Sequence, residues 1–172
     1  MNSTVTKALK FAIVAHGDQK RKYTGLPYVT HTIDVAQLVH DNGGTTNQVA
    51  AALLHDVVED TDFTLDDISI KFGTTIAELV FWLTDQSRPE DGNRAVRKAT
   101  DRNHILKAPF EAQFIKLADL VDNTACIAKN DPGFAKVYFF EKQLILNGML
   151  DSIKQTSLFK LAQKQIKGWH IL

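Results

Sequence analysis

Residues 46–60 constrain the fold more than any other part of the chain. They read Thr46-Asn47-Gln48-Val49-Ala50-Ala51-Ala52-Leu53-Leu54-His55-Asp56-Val57-Val58-Glu59-Asp60. A helix over this segment is apolar on almost every face, and such a helix belongs at the centre of a core. Four ionisable side chains then close it. Removing such groups from water is costly unless something pairs with them. On one continuous helix, His55 and Glu59 are four apart, as are Asp56 and Asp60, so each pair shares a face. His55 and Asp56 can then lean toward one metal ion. Glu59 and Asp60 lie a turn further on, within reach of water at that ion. The bland alternative is a solvated helix end that happens to be acidic.

The rest of the chain reads as further helices. Apolar spacing predicts helices over 4–16, 32–42, 64–73 and 75–85, with Gly17 and Gly43-Gly44 as breaks and Thr30 or Thr32, Thr46 and Thr64 as caps. Residues 18–28 form a polar loop rich in Lys and Arg. The polar stretch 86–107 reads as a loop followed by a solvent-facing helix. Helices over 110–129, 134–154 and 157–168 follow, with a stop at Asn130-Asp131-Pro132-Gly133 and a cap at Ser157. No strand-like alternation of useful length is present, so the expected class is all-α, with eight or nine helices. At 172 residues the chain fits a single domain over 1–172.

Composition removes several classes of function. Lys+Arg and Asp+Glu are both 20, so no global field favours nucleic acid. One cysteine, Cys126, excludes an internal disulfide and a cysteine metal cluster. The apolar runs are far shorter than the ~20 residues of a spanning helix, so no membrane association is expected. The first residues lack the pattern of a secretory signal, which makes cytoplasmic the expected location. Self-association into a homo-oligomer is left open. Cys126, Trp82 and the Phe139-Phe140 pair are expected in the core. His16 should pack at its helix end. His40, His104 and His170 have no motif context, and Trp169 is expected at a core edge or partner surface.

Two further residues join the closing string of the central helix. His31 follows Pro27-Tyr28-Val29-Thr30, and Asp119 ends Ile115-Lys116-Leu117-Ala118-Asp119. Each is metal-capable in an apolar setting. His31, His55, Asp56 and Asp119 together supply two imidazoles and two carboxylates. That set suits a divalent ion with open positions for water, such as Mn²⁺, Fe²⁺ or Ni²⁺, better than a closed sulfur-rich zinc site.

The H…HD…D order resembles the HD superfamily of metal-dependent phosphohydrolases, and more narrowly the alarmone hydrolase domain of RelA/SpoT homologues and their small stand-alone members. The matching strings are residues 15–22 (AHGDQKRK), 25–31 (GLPYVTH), 51–61 (AALLHDVVEDT), Phe72-Gly73 and 116–119 (KLAD), in order over roughly 3–150. The resemblance implies a single HD-domain helical bundle that hydrolyses the 3′-diphosphate of (p)ppGpp with manganese. By motif position it makes His31, His55, Asp56 and Asp119 the metal ligands and Glu59 and Asp60 the catalytic acidic pair. Arg21 and Lys22 would lie against the nucleotide base, Asn123 near the nucleoside and Tyr138 beside the base pocket. Arg94, Arg97, Lys98 and Lys116 are candidates for the remaining phosphates.

The chain departs from the family pattern at Leu120, where an arginine is frequent, at Asp122, where a histidine or tyrosine is common, and at Thr32, in place of a frequent proline. The same site could act on (p)ppApp or remove the 2′-phosphate of NADPH. A non-catalytic module binding metal and nucleotide is the alternative of another class, and the intact acidic pair argues against it.

Overall fold

The computed structural model describes residues 3–169, with side chains through Lys167. The Trp169 side chain and His170 lie outside the described residues. The chain is all-α. Among the described residues there are eleven α-helices and one 3-10 turn, with no strand beyond a single bridge between Lys20 and Pro27. No helix among them is long and apolar enough to cross a membrane. The chain forms two compact units, 1–84 and 85–172.

The first unit holds α1 (Ser3–His16), α2 (Val29–Asp41), α3 (Thr46–Leu54), α4 (Val57–Asp60), α5 (Leu65–Phe72) and α6 (Thr74–Leu83). Helix α3 is its centre, as the apolar pattern requires. Every residue from Gln48 to Leu54 is buried, and α1, α2 and α6 pack against it. Its cap is Thr45 rather than the expected Thr46. The Thr45 side chain accepts from the Gln48 N–H, and Gln48 returns a bond to the Thr45 N–H. Thr64 caps α5 in the same reciprocal way with Asp67. Neither Thr30 nor Thr32 caps α2, because both hydroxyls donate backward, to the Pro27 and Val29 carbonyls. Between α2 and α3 the chain must turn tightly. Gly43 has φ +85°, and a methyl added to Gly44 would run into the Val39 side chain and come 2.7 Å from its carbonyl oxygen.

The second unit holds a 3-10 turn (Pro89–Asp91), α7 (Arg94–Ile105), α8 (Phe110–Asn130), α9 (Pro132–Gly148), α10 (Asp151–Lys154) and α11 (Ser157–Trp169). Helix α8 is its axis, with α7, α9, α10 and α11 against it. Thr156, one residue before the expected Ser157, accepts from the Phe159 N–H at the start of α11. Phe139 is buried as expected, but its neighbour Phe140 is 67% exposed. Adjacent helical residues point about 100° apart, so only one of the two can face α8. Cys126 is half-buried beside Asn130, not in the core.

Two expected long helices are divided, which raises the count above eight or nine. The segment 46–60 breaks at His55-Asp56 into α3 and α4, and 134–154 breaks at Met149-Leu150 into α9 and α10. The second break is tied down by Gln113, which is fully buried on α8. Its amide donates to the Leu106 and Ala108 carbonyls and accepts from the Leu150 N–H at 3.0 Å. Gln113→Leu keeps the volume and leaves those three backbone groups without their partner. It should therefore cost roughly 2 kcal/mol or more in a urea titration. A loss below about 0.5 kcal/mol would mean that water replaces the amide there.

Candidate active site

The break in the most buried helix creates the site. His55 ends α3, and its Nδ1 lies 2.7 Å from the Ala52 carbonyl oxygen. A carbonyl only accepts, so Nδ1 carries a proton, and in the neutral ring Nε2 presents a lone pair. Asp56 follows in the turn between the two helices, with φ −97° and ψ −2°, and is the residue from which α4 starts. His31, on α2, is buried beside them. His55 Nε2 stands 3.1 Å and His31 Nε2 3.6 Å from Asp56 Oδ2. Donor atoms of the three side chains lie within 4.8 Å of one another, a grouping that could hold a metal ion.

The donor set fits a divalent cation. An imidazole lone pair aimed at a carboxylate oxygen in a buried setting is unfavourable unless a positive charge sits between them. The outer contacts are those of a ligand set held in one orientation. The Ala52 carbonyl fixes the His55 tautomer, and the Tyr28 hydroxyl donates to Asp56 Oδ2 at 2.7 Å. The Tyr28 ring packs edge-on against His31 and tilted against His16.

Glu59 and Asp60 come after the turn at His55-Asp56, so they do not share one continuous helix with His55. They occupy the single turn of α4 and are exposed. Asp60 Oδ2 accepts from Gln19 Nε2 at 3.0 Å. Gln19 belongs to the loop carrying Arg21, which is half-buried, and Lys22, whose ammonium lies over the Tyr23 ring.

In the second unit, Asp119 is buried on α8. Lys116 pairs with its Oδ2 at 2.8 Å, and Asn123 donates to its Oδ1 at 2.5 Å. The spacings of three and four place all three side chains on one helix face. Arg94 is held by Glu141 through two parallel bonds and stacks on Phe134. Lys98 bridges Asp85, at 2.5 Å, and Asp101, at 3.3 Å. Burial works against the Lys98 charge, but these carboxylates raise its pKa overall. Asp101 also accepts the Gln86 and Ser87 N–H groups and the Ser87 hydroxyl. Arg97 has a buried Nε without a hydrogen-bond partner among the described residues. Tyr138 is buried on α9, and burial followed by the Asp119 charge holds its hydroxyl well above the usual phenol range.

The HD-domain family model matches residues 8–139. The chain belongs to the HD-domain family. It is 36% identical over 129 residues to the guanosine-3′,5′-bis(diphosphate) 3′-pyrophosphohydrolase MESH1 of Drosophila melanogaster, covering 73% of this chain and 70% of that one. Against MESH1 of Danio rerio it is 35% identical over 125 residues, or 70% and 67% of the two chains. A solved structure described as a metazoan ortholog of SpoT that hydrolyses ppGpp superposes with a TM-score of 0.86 at 27% identity, over 100% of this chain and 98% of that one. The HD-domain match runs through all the residues of the buried cluster and through Asp119.

Sequence reasoning did not find Lys142. Its ammonium lies 4.7 Å from the centre of the Tyr138 ring. Burial, then the Lys116 charge, bring its pKa down to about 8, with Asp119 and Asp85 opposing. Nothing in the motif order points to it, because its surroundings come from α7 and α8. A lysine that holds its proton less tightly folded than unfolded destabilises the fold at pH values below its folded pKa. That penalty is relieved as pH rises from about 8 toward the ordinary 10.5. Lys142→Met should therefore raise the melting temperature at pH 7 by a few degrees, on the order of 3 °C, and the gain should shrink by pH 10. A loss of stability at pH 7 would contradict this.

Proposed function

We propose that this chain hydrolyses guanosine 3′,5′-bis(diphosphate) at its 3′-diphosphate, with one divalent metal, most naturally Mn²⁺, as cofactor. The observation that carries the reading is the buried His31–His55–Asp56 cluster, in an HD-domain chain whose relatives bear this activity. His31, His55 and Asp56 are the proposed ligands from the first unit. Asp119 is the proposed fourth, on its place in the family's motif order. One functional domain over 1–172 is part of the same proposal, since the matched span 8–139 runs through both compact units. A cytoplasmic location, a small nucleotide as partner, and no nucleic-acid or membrane partner complete it, with self-association left open.

His31, His55, Asp56 and Asp119 would hold a divalent ion, which would neutralise phosphate charge and make water a better nucleophile near neutral pH. Glu59 and Asp60 are exposed carboxylates one turn beyond Asp56, suited to orient that water and to take its proton. Water attacks the phosphorus joined to the 3′-oxygen, and the bond between them breaks. Pyrophosphate departs and the nucleoside keeps a 3′-hydroxyl. Arg21 and Lys22 are proposed to face the base, with Asn123 and Tyr138 near the nucleoside. Lys116, Lys98, Arg94 and Arg97 are the candidates for phosphate. Of these, Lys116, Arg94 and Lys98 already hold protein carboxylates and would have to exchange them for substrate.

The test is an assay with ppGpp, ppApp and NADPH side by side, at fixed Mn²⁺, identifying the released group. The expected result is pyrophosphate from ppGpp, abolished by chelator. Preference for ppApp would move the substrate to adenine nucleotides, and phosphate from NADPH alone would replace the reading. Glu59→Gln and Asp60→Asn should each lower turnover by about 10²-fold or more while the bound metal is kept. Asp119→Ala should lose metal, and unchanged metal content would remove Asp119 from the ligand set.

A further inference from the structure

We infer that Gln19 is a positioning residue for Asp60, and that the His16 ring keys the Gln19 amide into the one orientation that serves it. The inference rests on the proposed catalytic role of Asp60. It adds two residues that act through that carboxylate without touching substrate.

The geometry is a relay of three side chains. His16 is the last residue of α1 and is buried. Its Nδ1 lies 2.8 Å from Gln19 Oε1. Gln19 Nε2 in turn donates to Asp60 Oδ2 at 3.0 Å. An ionised carboxylate only accepts, so the Gln19 NH₂ must face Asp60 and its oxygen must face His16. The His16 Nδ1 is then the donor. A reversed amide would set oxygen against the Asp60 carboxylate and NH₂ against a ring N–H. Each end of the amide therefore enforces the other.

The backbone makes this placement stiff. Gln19 N–H donates to the His16 carbonyl at 2.9 Å, and the Gln19 carbonyl accepts from Tyr28 N–H at 2.8 Å. Arg21 N–H donates to Leu26 across the same loop. The His16 ring packs on Tyr28, with centroids 4.9 Å apart, and Tyr28 donates to Asp56. The His16–Tyr28 pair thus supports the proposed metal ligand through Tyr28 and the proposed base through Gln19. Asp60 is exposed and sits on a single helical turn, so its own element does little to restrict its rotamer. An outer hydrogen bond has most effect where the side chain it holds is otherwise loose.

The experiment compares Gln19→Met, Gln19→Glu and Asp60→Asn in the full chain, reading kcat on ppGpp, the Mn²⁺ dissociation constant by calorimetry, and melting temperature. Gln19→Met should lower kcat about 10- to 100-fold with Mn²⁺ affinity within about twofold of the parent. In Gln19→Glu the introduced carboxyl still accepts from His16 but can donate to Asp60 only when protonated. Its activity relative to the parent should rise as pH falls from 8 to 6, a signature that a merely structural role would not produce. A parental kcat in Gln19→Met overturns the inference. So does a kcat loss that follows lost metal affinity, or a flat pH ratio in Gln19→Glu. If Asp60→Asn turns over like the parent, the catalytic reading of Asp60 fails and takes the inference with it. If Asp60→Asn is inactive and Gln19→Met is not, the inference alone fails.

Discussion

The hydrogen bond from His55 Nδ1 to the Ala52 carbonyl, at 2.7 Å, organises the first unit. It lies at the point where the most buried helix of that unit stops. The bond satisfies a carbonyl of the last turn, fixes the tautomer of His55 and leaves its Nε2 facing the Asp56 carboxylate. The break places His55 and Asp56 in the turn between α3 and α4. With it, both approach His31 on α2. The apolar packing of α3 by α1, α2 and α6 makes the arrangement rigid. Two imidazoles and a carboxylate are thereby held with little freedom to rearrange, which is what a metal site requires of its scaffold.

The second unit is organised differently. Its functional candidates lie along α8, where Lys116, Asp119 and Asn123 share a face, and their neighbours are paired cations and carboxylates. Tyr138 and Lys142 add a buried hydroxyl and an ammonium with a lowered pKa to that environment. Charge is concentrated there in a low-dielectric setting, where electrostatic interactions are strong.

Much of this was legible in the sequence, for identifiable reasons. The all-α class followed from helical spacing and the lack of alternation. The centrality of α3 followed from its want of a polar face. The cluster of His31, His55 and Asp56 was marked by ionisable groups in apolar surroundings, which are too costly to be casual. The break at His55-Asp56 was not legible. No glycine or proline signals it, and it is set by a side chain capturing a backbone carbonyl. Caps were misplaced by one residue at Thr45 and Thr156, because each has a second hydroxyl beside it with the same local chemistry. Phe140 and Cys126 were placed in the core on residue type alone, whereas helical phase turns Phe140 outward and leaves Cys126 half-buried. Lys142 and the Gln19 relay depend on contacts between elements, and no local pattern encodes them.

The central claim is that the break between α3 and α4 builds a metal centre. It is tested most directly by anomalous diffraction from crystals grown with Mn²⁺. The account predicts a single strong peak bonded to His31 Nε2, His55 Nε2 and an Asp56 oxygen. A peak at other residues, or none at saturating Mn²⁺, would contradict it.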